Sequence, residues 1–417
     1  MRAVLSLATT SPPPRSILLF RHMDASSWID TLLTSDGQRL LDELSAETLP
    51  ATDQLRLIVR LRERYPPDLV ALALTQAKLR IRARSKFSGA DRMYFTPAGL
   101  EQASSERMAR HHARRYEPFD LVADLCTGIG GDLIGLADGC PVIAVDKDPV
   151  HARLAMLNGV ANHVGQRVTS ICADVSTVRL NDVPAVFIDP ARRSPDRRFP
   201  AGASEPSLNW CFALADGETG VGIKAAPGLP TEVVPPAWEL EFVSDHRDLK
   251  ECMLWSPSLA TAQRRATILP DEHTLVEHDR ARVDVRPPGR FLLDPDPAVT
   301  RAGLVQTLGA TLGDCWKIDD RIAFLSANME MLTPFGRSLR IEASMPWNLG
   351  RLRESLRSLN VGAVDIRKRG SAVDVDELQK KLKLSGHRAV TLVLTRVADR
   401  PWMMVCSEPS ASAPLLT

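Results

Sequence analysis

The sequence predicts an α/β fold: an open, mostly parallel sheet with helices on its faces over residues 119–280, helices before it, and a small α+β unit after it. Three observations carry this expectation. Between Phe119 and Asp146 an apolar run, a glycine-rich turn, a helix-length apolar stretch and a second short apolar run follow one another, which is the order strand, turn, helix, strand. Further short apolar runs, 168–172, 185–188, 221–224, 239–243 and 251–255, continue the pattern; Asp189 directly follows the second and Lys224 ends the third. After residue 336 strand-like and helix-like stretches alternate again, in a segment of changed charge.

The 417 residues suffice for about two or three domains with ample core. An apolar share of 44% and a charged share of 25% are those of a soluble globular protein. The seven cysteines include no Cys-x-x-Cys pair, so they are expected to be reduced, in a cytoplasmic protein, and no metal is expected. No apolar run approaches about 18 residues, which excludes a membrane-spanning helix. Residues 1–23, with Ser11-Pro12-Pro13-Pro14, read as a disordered tail with no signal-peptide order, and Met23 is a second candidate start. Residues 409–417 read as another tail.

The net charge of +1 conceals a division. Residues 1–118 carry 18 basic and 13 acidic side chains, residues 119–336 carry 20 and 30, and residues 337–417 carry 14 and 8. Basic flanks around an acidic middle suit a polyanionic substrate, although surface charge also serves solubility.

Residues 24–118 read as a helical domain. Leu55, Ile58, Val59 and Leu61 fall at helical spacing before the Pro66-Pro67 break, and a helix from Asp68 to about Arg84 follows. Its basic end, Lys78, Arg80, Arg82, Arg84 and Lys86, is either a solvated helix end or a phosphate strip. Thr96 is an N-cap with Pro97 at the first helical position of a helix expected to run to about Tyr116.

In the middle domain, residues 119–280, a dinucleotide turn would be Gly-x-Gly-x-x-Gly. Counting from Gly128 and Gly130 puts Leu133 where the third glycine should stand, which weakens a nicotinamide reading. Asp146, at the tip of the second strand, can accept both hydroxyls of a ribose. The strand 168–172 ends in Ala173-Asp174-Val175, and the strand 185–188 delivers Asp189-Pro190-Ala191-Arg192 to the carboxyl edge of the sheet, where ligands bind. Lys224 ends the next strand at the crevice edge, as a substrate contact or as a solvated strand end. Residues 239–243, 251–255 and 265–269 are expected to complete an antiparallel edge. Residues 281–336 read as a connector with one helix, 298–312. Residues 337–408 read as a separate small α+β unit whose Arg367-Lys368-Arg369 cluster suits phosphate contact or a solvated face.

Asp124-x-Cys126-x-Gly128-x-Gly130-Gly131 resembles motif I of class I S-adenosylmethionine-dependent methyltransferases, with Cys126 where many members have glycine. Asp189-Pro190-Ala191-Arg192 resembles motif IV of nucleic-acid methyltransferases, with Ala191 and Arg192 where amino-methylating enzymes place an aromatic residue. With Asp146-Lys147-Asp148-Pro149, Leu293 to Ala298 and Ile366 to Gly370, the chain resembles bacterial class I methyltransferases that carry a C-terminal THUMP-like domain. The turn and Asp146 also resemble trimethylguanosine synthase, a cap guanine-N2 methyltransferase. The resemblance implies a Rossmann-like domain with a seven-stranded sheet and S-adenosyl-L-methionine as cofactor. Asp124, Cys126, Gly128, Gly130, Gly131, Asp146, Asp174 and Val175 would bind it, with Phe95, Gln102 and Ser104 placed to close over it. Asp189, Pro190 and Arg192 would be catalytic, and Lys224, Arg367, Lys368 and Arg369 would bind substrate. RNA, either tRNA or rRNA, is the implied partner and a base nitrogen the implied acceptor. The Asp-Pro-Ala-Arg run also looks like that of 5-methyluridine methyltransferases, but the nucleophilic Ser-Cys-Asn-type motif of those enzymes is missing from the sequence. Two other readings stand beside this one: a methyltransferase acting on a small molecule or protein, and a non-catalytic RNA-binding or assembly factor.

Overall fold

The computed structural model describes residues 27–46, 54–191, 193–194, 197–198, 203–278 and 281–409. Most of the two expected tails, and Arg192, lie outside these described residues. The chain divides into two compact units, Met1–Lys224 with Ser256–Leu259, and Ala225–Trp255 with Ala260–Thr417.

The first unit opens with helices α1 (Ser27–Leu33), α2 (Ser35–Ala46), α3 (Gln54–Arg62) and α4 (Pro67–Ala83). Their apolar faces meet in one core of Ile29, Leu32, Leu41, Leu61, Val70 and Leu74. The single helix expected between Thr96 and Tyr116 is two, α5 (Pro97–Gln102) and α6 (Glu106–Ala113). Ala103 leaves helical geometry and Ser105 starts the second helix, accepting a hydrogen bond from the Met108 N–H.

The sheet of this unit follows: β1 (Val122–Leu125), α7 (Gly131–Gly139), β2 (Val142–Asp146), α8 (Pro149–Ala161), β3 (Val168–Cys172) and β4 (Ala185–Ile188). A separate short pair, β5 (Arg193–Ser194) and β6 (Arg197–Arg198), and helix α9 (Leu208–Ala213) come before β7 (Gly220–Ala225), which completes it. Strands run in the order β7-β4-β1-β2-β3, all parallel, with Val122 beside both Val142 and Ala185. Every residue of β1, β4 and β7 is buried, as a sheet covered on both faces requires. The order reverses between β1 and β4, so the carboxyl ends of these two strands border the crevice of an open α/β sheet. Helix α7 lies close on α6: a Cβ at Gly135 would stand 2.6 Å from the Ala109 carbonyl oxygen, so only glycine permits that approach.

The second unit begins with β8 (Glu239–Asp245), β9 (Asp248–Trp255), β10 (Arg264–Leu269) and β11 (His273–Val276). The expected antiparallel edge is part of the arrangement: β8 pairs antiparallel with β9 but parallel with β10, and β11, unforeseen, pairs antiparallel with β10. Next come β12 (Phe291–Pro295), α10 (Pro297–Ala302), α11 (Val305–Leu312), β13 (Trp316–Lys317) and β14 (Leu325–Ala327). The one helix expected over 298–312 breaks at Gly303, whose φ of 77° ends α10 in a left-handed cap. Last are β15 (Gly336–Pro346), α12 (Leu349–Ser358), β16 (Val361–Lys368), α13 (Val375–Leu382), β17 (Arg388–Val397) and β18 (Arg400–Ser407).

These strands form one sheet, β13-β14-β12-β15-β18-β17-β16. The stretch expected to be a patternless connector therefore supplies three of its strands, with Leu292 directly opposite Leu339. One face of this sheet buries Leu292, Phe324, Leu339, Val393 and Met404. Leu392, Leu394 and Val405 pack against Leu352, Leu356, Leu378 and Leu382 of α12 and α13. The last 80 residues are thus not structurally separate from the strand β12 that precedes them.

Candidate active site

The turn after β1 is shaped by three residues with positive φ, Cys126 at 60°, Gly128 at 55° and Gly130 at 86°. Gly130 caps α7 in a left-handed conformation, which aims the first N–H groups of that helix toward the turn. Around Gly128 the space that a Cβ would fill is open, with no atom within 4 Å. Asp146, at the end of β2, ties the turn down: its Oδ2 accepts the Gly128 N–H at 2.8 Å and its Oδ1 the Asp148 N–H at 2.9 Å.

Asp124 is 1% exposed and accepts a 2.5 Å hydrogen bond from the Thr127 hydroxyl. Burial pushes its carboxyl well above the usual range, and the charges of Asp132 and Asp189 add to this against the Thr127 bond. The Cys126 thiol is raised by burial and by Asp146 and Asp189, so it is no ready nucleophile. Asp174 is exposed at the end of β3, where its Oδ1 accepts the Ser176 N–H and hydroxyl at 2.9 and 2.7 Å, bonds that hold its carboxyl below the ordinary value. Val175 beside it is buried. Phe95, expected to reach the crevice, is instead fully buried among the N-terminal helices, its backbone bound by Gln76; Gln102 is exposed.

Asp189 follows β4, with its side chain 26% exposed. Pro190 is buried, and Ala191 pairs with Glu205 through two 2.9 Å backbone bonds. Lys224 differs from expectation. It is 4% exposed, and its ammonium binds Asp189 Oδ2 at 2.6 Å and the Ser104 hydroxyl at 2.8 Å, with Asp132 Oδ2 at 3.5 Å. Two residues outside the sequence reading thereby join the site. Asp132, in the first turn of α7, accepts from Ser104 at 2.7 Å and pairs with His112 Nδ1 at 2.8 Å. His112 is fully buried and stacks on Phe187 of β4, ring centroids 5.4 Å apart. An acidic residue in the first turn of a helix just after the glycine turn was the available sequence signal for Asp132.

In the second unit, Arg367 and Lys368 are exposed; Arg367 pairs with Asp365 at 3.0 Å, and Lys368 donates to the Val373 carbonyl. Arg369 is committed internally. Its guanidinium lies 4.8 Å over the Phe324 ring, donates to the Ala323 carbonyl, and pairs with Asp294 Oδ1 at 2.8 Å, out of line for a hydrogen bond. Among the described residues no group of three His, Cys, Asp or Glu side chains is placed to hold a metal ion, and no helix is long and apolar enough to cross a membrane.

The donor set fits S-adenosylmethionine. The glycine turn is open where the ligand's bulk would need it, Asp146 offers a fixed carboxylate for ribose hydroxyls, and helix α7 presents free N–H groups at its start. Comparison with known proteins agrees. Residues 119–207 match the RNA cap guanine-N2 methyltransferase family, residues 336–408 the THUMP domain-like family, and residues 27–83 a domain family of unknown function. Over 316 residues the chain is 36% identical to an uncharacterized S-adenosylmethionine-dependent methyltransferase of Mycobacterium tuberculosis, covering 74% of this chain and 86% of that protein. The crystal structure of a candidate methyltransferase from Porphyromonas gingivalis W83 has the same fold, with a TM-score of 0.71 at 18% identity over 93% of this chain and 100% of that one. This chain belongs to the S-adenosylmethionine-dependent methyltransferases, with the class I architecture and the cofactor that its sequence led us to expect.

Proposed function

We propose that the enzyme methylates a base nitrogen of RNA and that Asp189 receives the acceptor's N–H. The observation that carries this is the placement of Asp189: a partly exposed carboxylate at the carboxyl end of β4, beside the glycine turn's strand, with one oxygen held by a buried ammonium. S-adenosylmethionine, when bound, supplies an electrophilic methyl group. The chain's own residues orient and desolvate. Asp146 accepts the ribose hydroxyls while fixing the turn, Asp174 meets the adenine amino group, and Val175 packs against the ring. Asp124, Cys126, Gly128, Gly130 and Gly131 line the methionine side of the pocket.

An acceptor N–H that donates to Asp189 has its lone pair turned toward the methyl. As the nitrogen–carbon bond forms and the sulfur–carbon bond breaks, that nitrogen's proton passes to the Asp189 carboxylate. The Pro190 carbonyl is a second acceptor for an exocyclic amine. The 119–207 match to cap guanine-N2 methyltransferases supports a guanine or adenine nitrogen, and the THUMP-like match supports RNA. Arg367 and Lys368, exposed, are the cations of the Arg367–Arg369 cluster available to phosphates; Lys224 and Arg369 are withdrawn from that role by their internal partners.

Mass spectrometry of RNA nucleosides from cells with and without the protein tests the reading. One methylated guanosine or adenosine should disappear without it and return when the purified enzyme and cofactor are added to that RNA. Unchanged RNA, with labelled methyl found in protein or small molecules, would replace it with the other enzymatic reading.

The cofactor assignment has its own check. Asp146→Ala should weaken S-adenosylmethionine binding by about 2 to 3 kcal/mol, roughly 30- to 150-fold, since it removes a carboxylate that takes two hydroxyls. Calorimetry on folded variant protein measures this, and unchanged affinity would remove Asp146 from the site.

A further inference from the structure

Lys224 ends a strand at the crevice, yet its ammonium is withdrawn from solvent. It contacts Asp189, Ser104 and Asp132, which come from the end of β4, the α5–α6 junction and α7. Behind Asp132 stands His112, stacked on Phe187, so the group reaches from the reacting edge into the core. Burying an ammonium is costly unless charged and polar partners surround it. A cation held by two carboxylates and a hydroxyl has no freedom to follow a substrate phosphate. What it can do is hold one of those carboxylates still.

On the reading that Asp189 receives the acceptor's N–H, we propose that Lys224 is a positioning residue: it fixes the side chain of Asp189, while Ser104, Asp132 and His112 hold the ammonium from behind. Among the described groups near Asp189 are Lys224 from β7, Asp124 from β1 and Cys126 from the turn, with Asp132 across the ammonium. Of these Lys224 carries the positive charge and makes the short contact that fixes the carboxylate's direction.

The test transfers labelled methyl from S-adenosylmethionine to total RNA from cells lacking the protein. Lys224→Met should lower kcat about 100-fold, the scale of a displaced general base, while cofactor binding persists. The KM for S-adenosylmethionine should stay unchanged, and Lys224→Arg, which keeps a cation able to hold the carboxylate, should recover part of the lost kcat. Should Lys224→Met fail to fold, Lys224→Met with Asp132→Asn removes one buried charge of each sign, and the same loss is expected. A crystal structure of either variant should show Asp189 turned away from its position. A folded variant with wild-type kcat and Asp189 in place would overturn the proposal. Asp189→Asn in the same assay separates the two ideas: if it is inactive while Lys224→Met is normal, only the positioning role fails. If Asp189→Asn itself is fully active, the underlying reading fails with it.

Discussion

Asp189→Ala will bind S-adenosylmethionine as the wild type does and transfer methyl at least about 100-fold more slowly. The residue lies at the end of β4, whereas Asp146, proposed for the cofactor's ribose, ends β2, on the far side of β1. Truncation therefore leaves the Gly128–Asp146 tie intact and removes the group proposed to receive the acceptor's proton. The fold should tolerate the change: Lys224 loses its closest carboxylate but keeps Ser104 and Asp132. Single-turnover transfer of labelled methyl reads the chemical step and calorimetry reads cofactor binding. A normal single-turnover rate would make Asp189 a structural residue.

Asp132→Ala will unfold more easily by about 3 to 5 kcal/mol, because it strips a buried ammonium and a buried imidazole of their shared anion. That is a large part of the stability of an ordinary domain, about 5 to 15 kcal/mol. The pH dependence distinguishes charge from packing. Burial alone would raise the Asp132 carboxyl, but Lys224, His112 and Ser104 outweigh it and hold the group well below its ordinary value of 3.8. A depressed carboxyl contributes its full stability above that ordinary value and loses it as pH falls through the folded one. The gap between wild type and variant in urea unfolding should thus be widest at neutral pH and narrow below about pH 4. A gap that stays constant from pH 7 to about pH 3 would show that the lost contribution is packing.

The parts of this molecule that were legible in its sequence are those fixed within a dozen or so residues. The β1 to β2 segment could be read because apolar runs, glycine spacing and the terminal Asp146 all fall in one stretch. Strands β12, β13 and β14 could not. At five, two and three residues they are too short to show a period, and their neighbours in the sheet make them strands. Strand β11, four residues after a proline-containing turn, was hidden in the same way. The site shows the same divide. Lys224 was visible as a strand end, but which way its side chain would point depends on Ser104, 120 residues earlier, and on Asp132, 92 residues earlier. The Asp132–His112 pair spans 20 residues and carries no motif. Arg369 read as one of three equivalent cations until Phe324 and Asp294, both distant in sequence, took it out of the surface cluster.

The position of β18 has a consequence for how the protein is made. It is the last strand among the described residues, yet it lies between β15 and β17, pairing with both along nearly its whole length. While residues 400–407 are still inside the ribosome, the strands already synthesised on either side lack the partner that joins them. Leu392, Leu394 and Val393 then have no Met403, Met404 or Val405 to pack beside, and two strand edges stand open to other chains. Local pairing, such as β16 with β17, can form during translation, but closure of the sheet waits for β18 to emerge. The C-terminal half is accordingly the part of this enzyme most dependent on protection during synthesis, and the part where a prematurely ended chain would aggregate first.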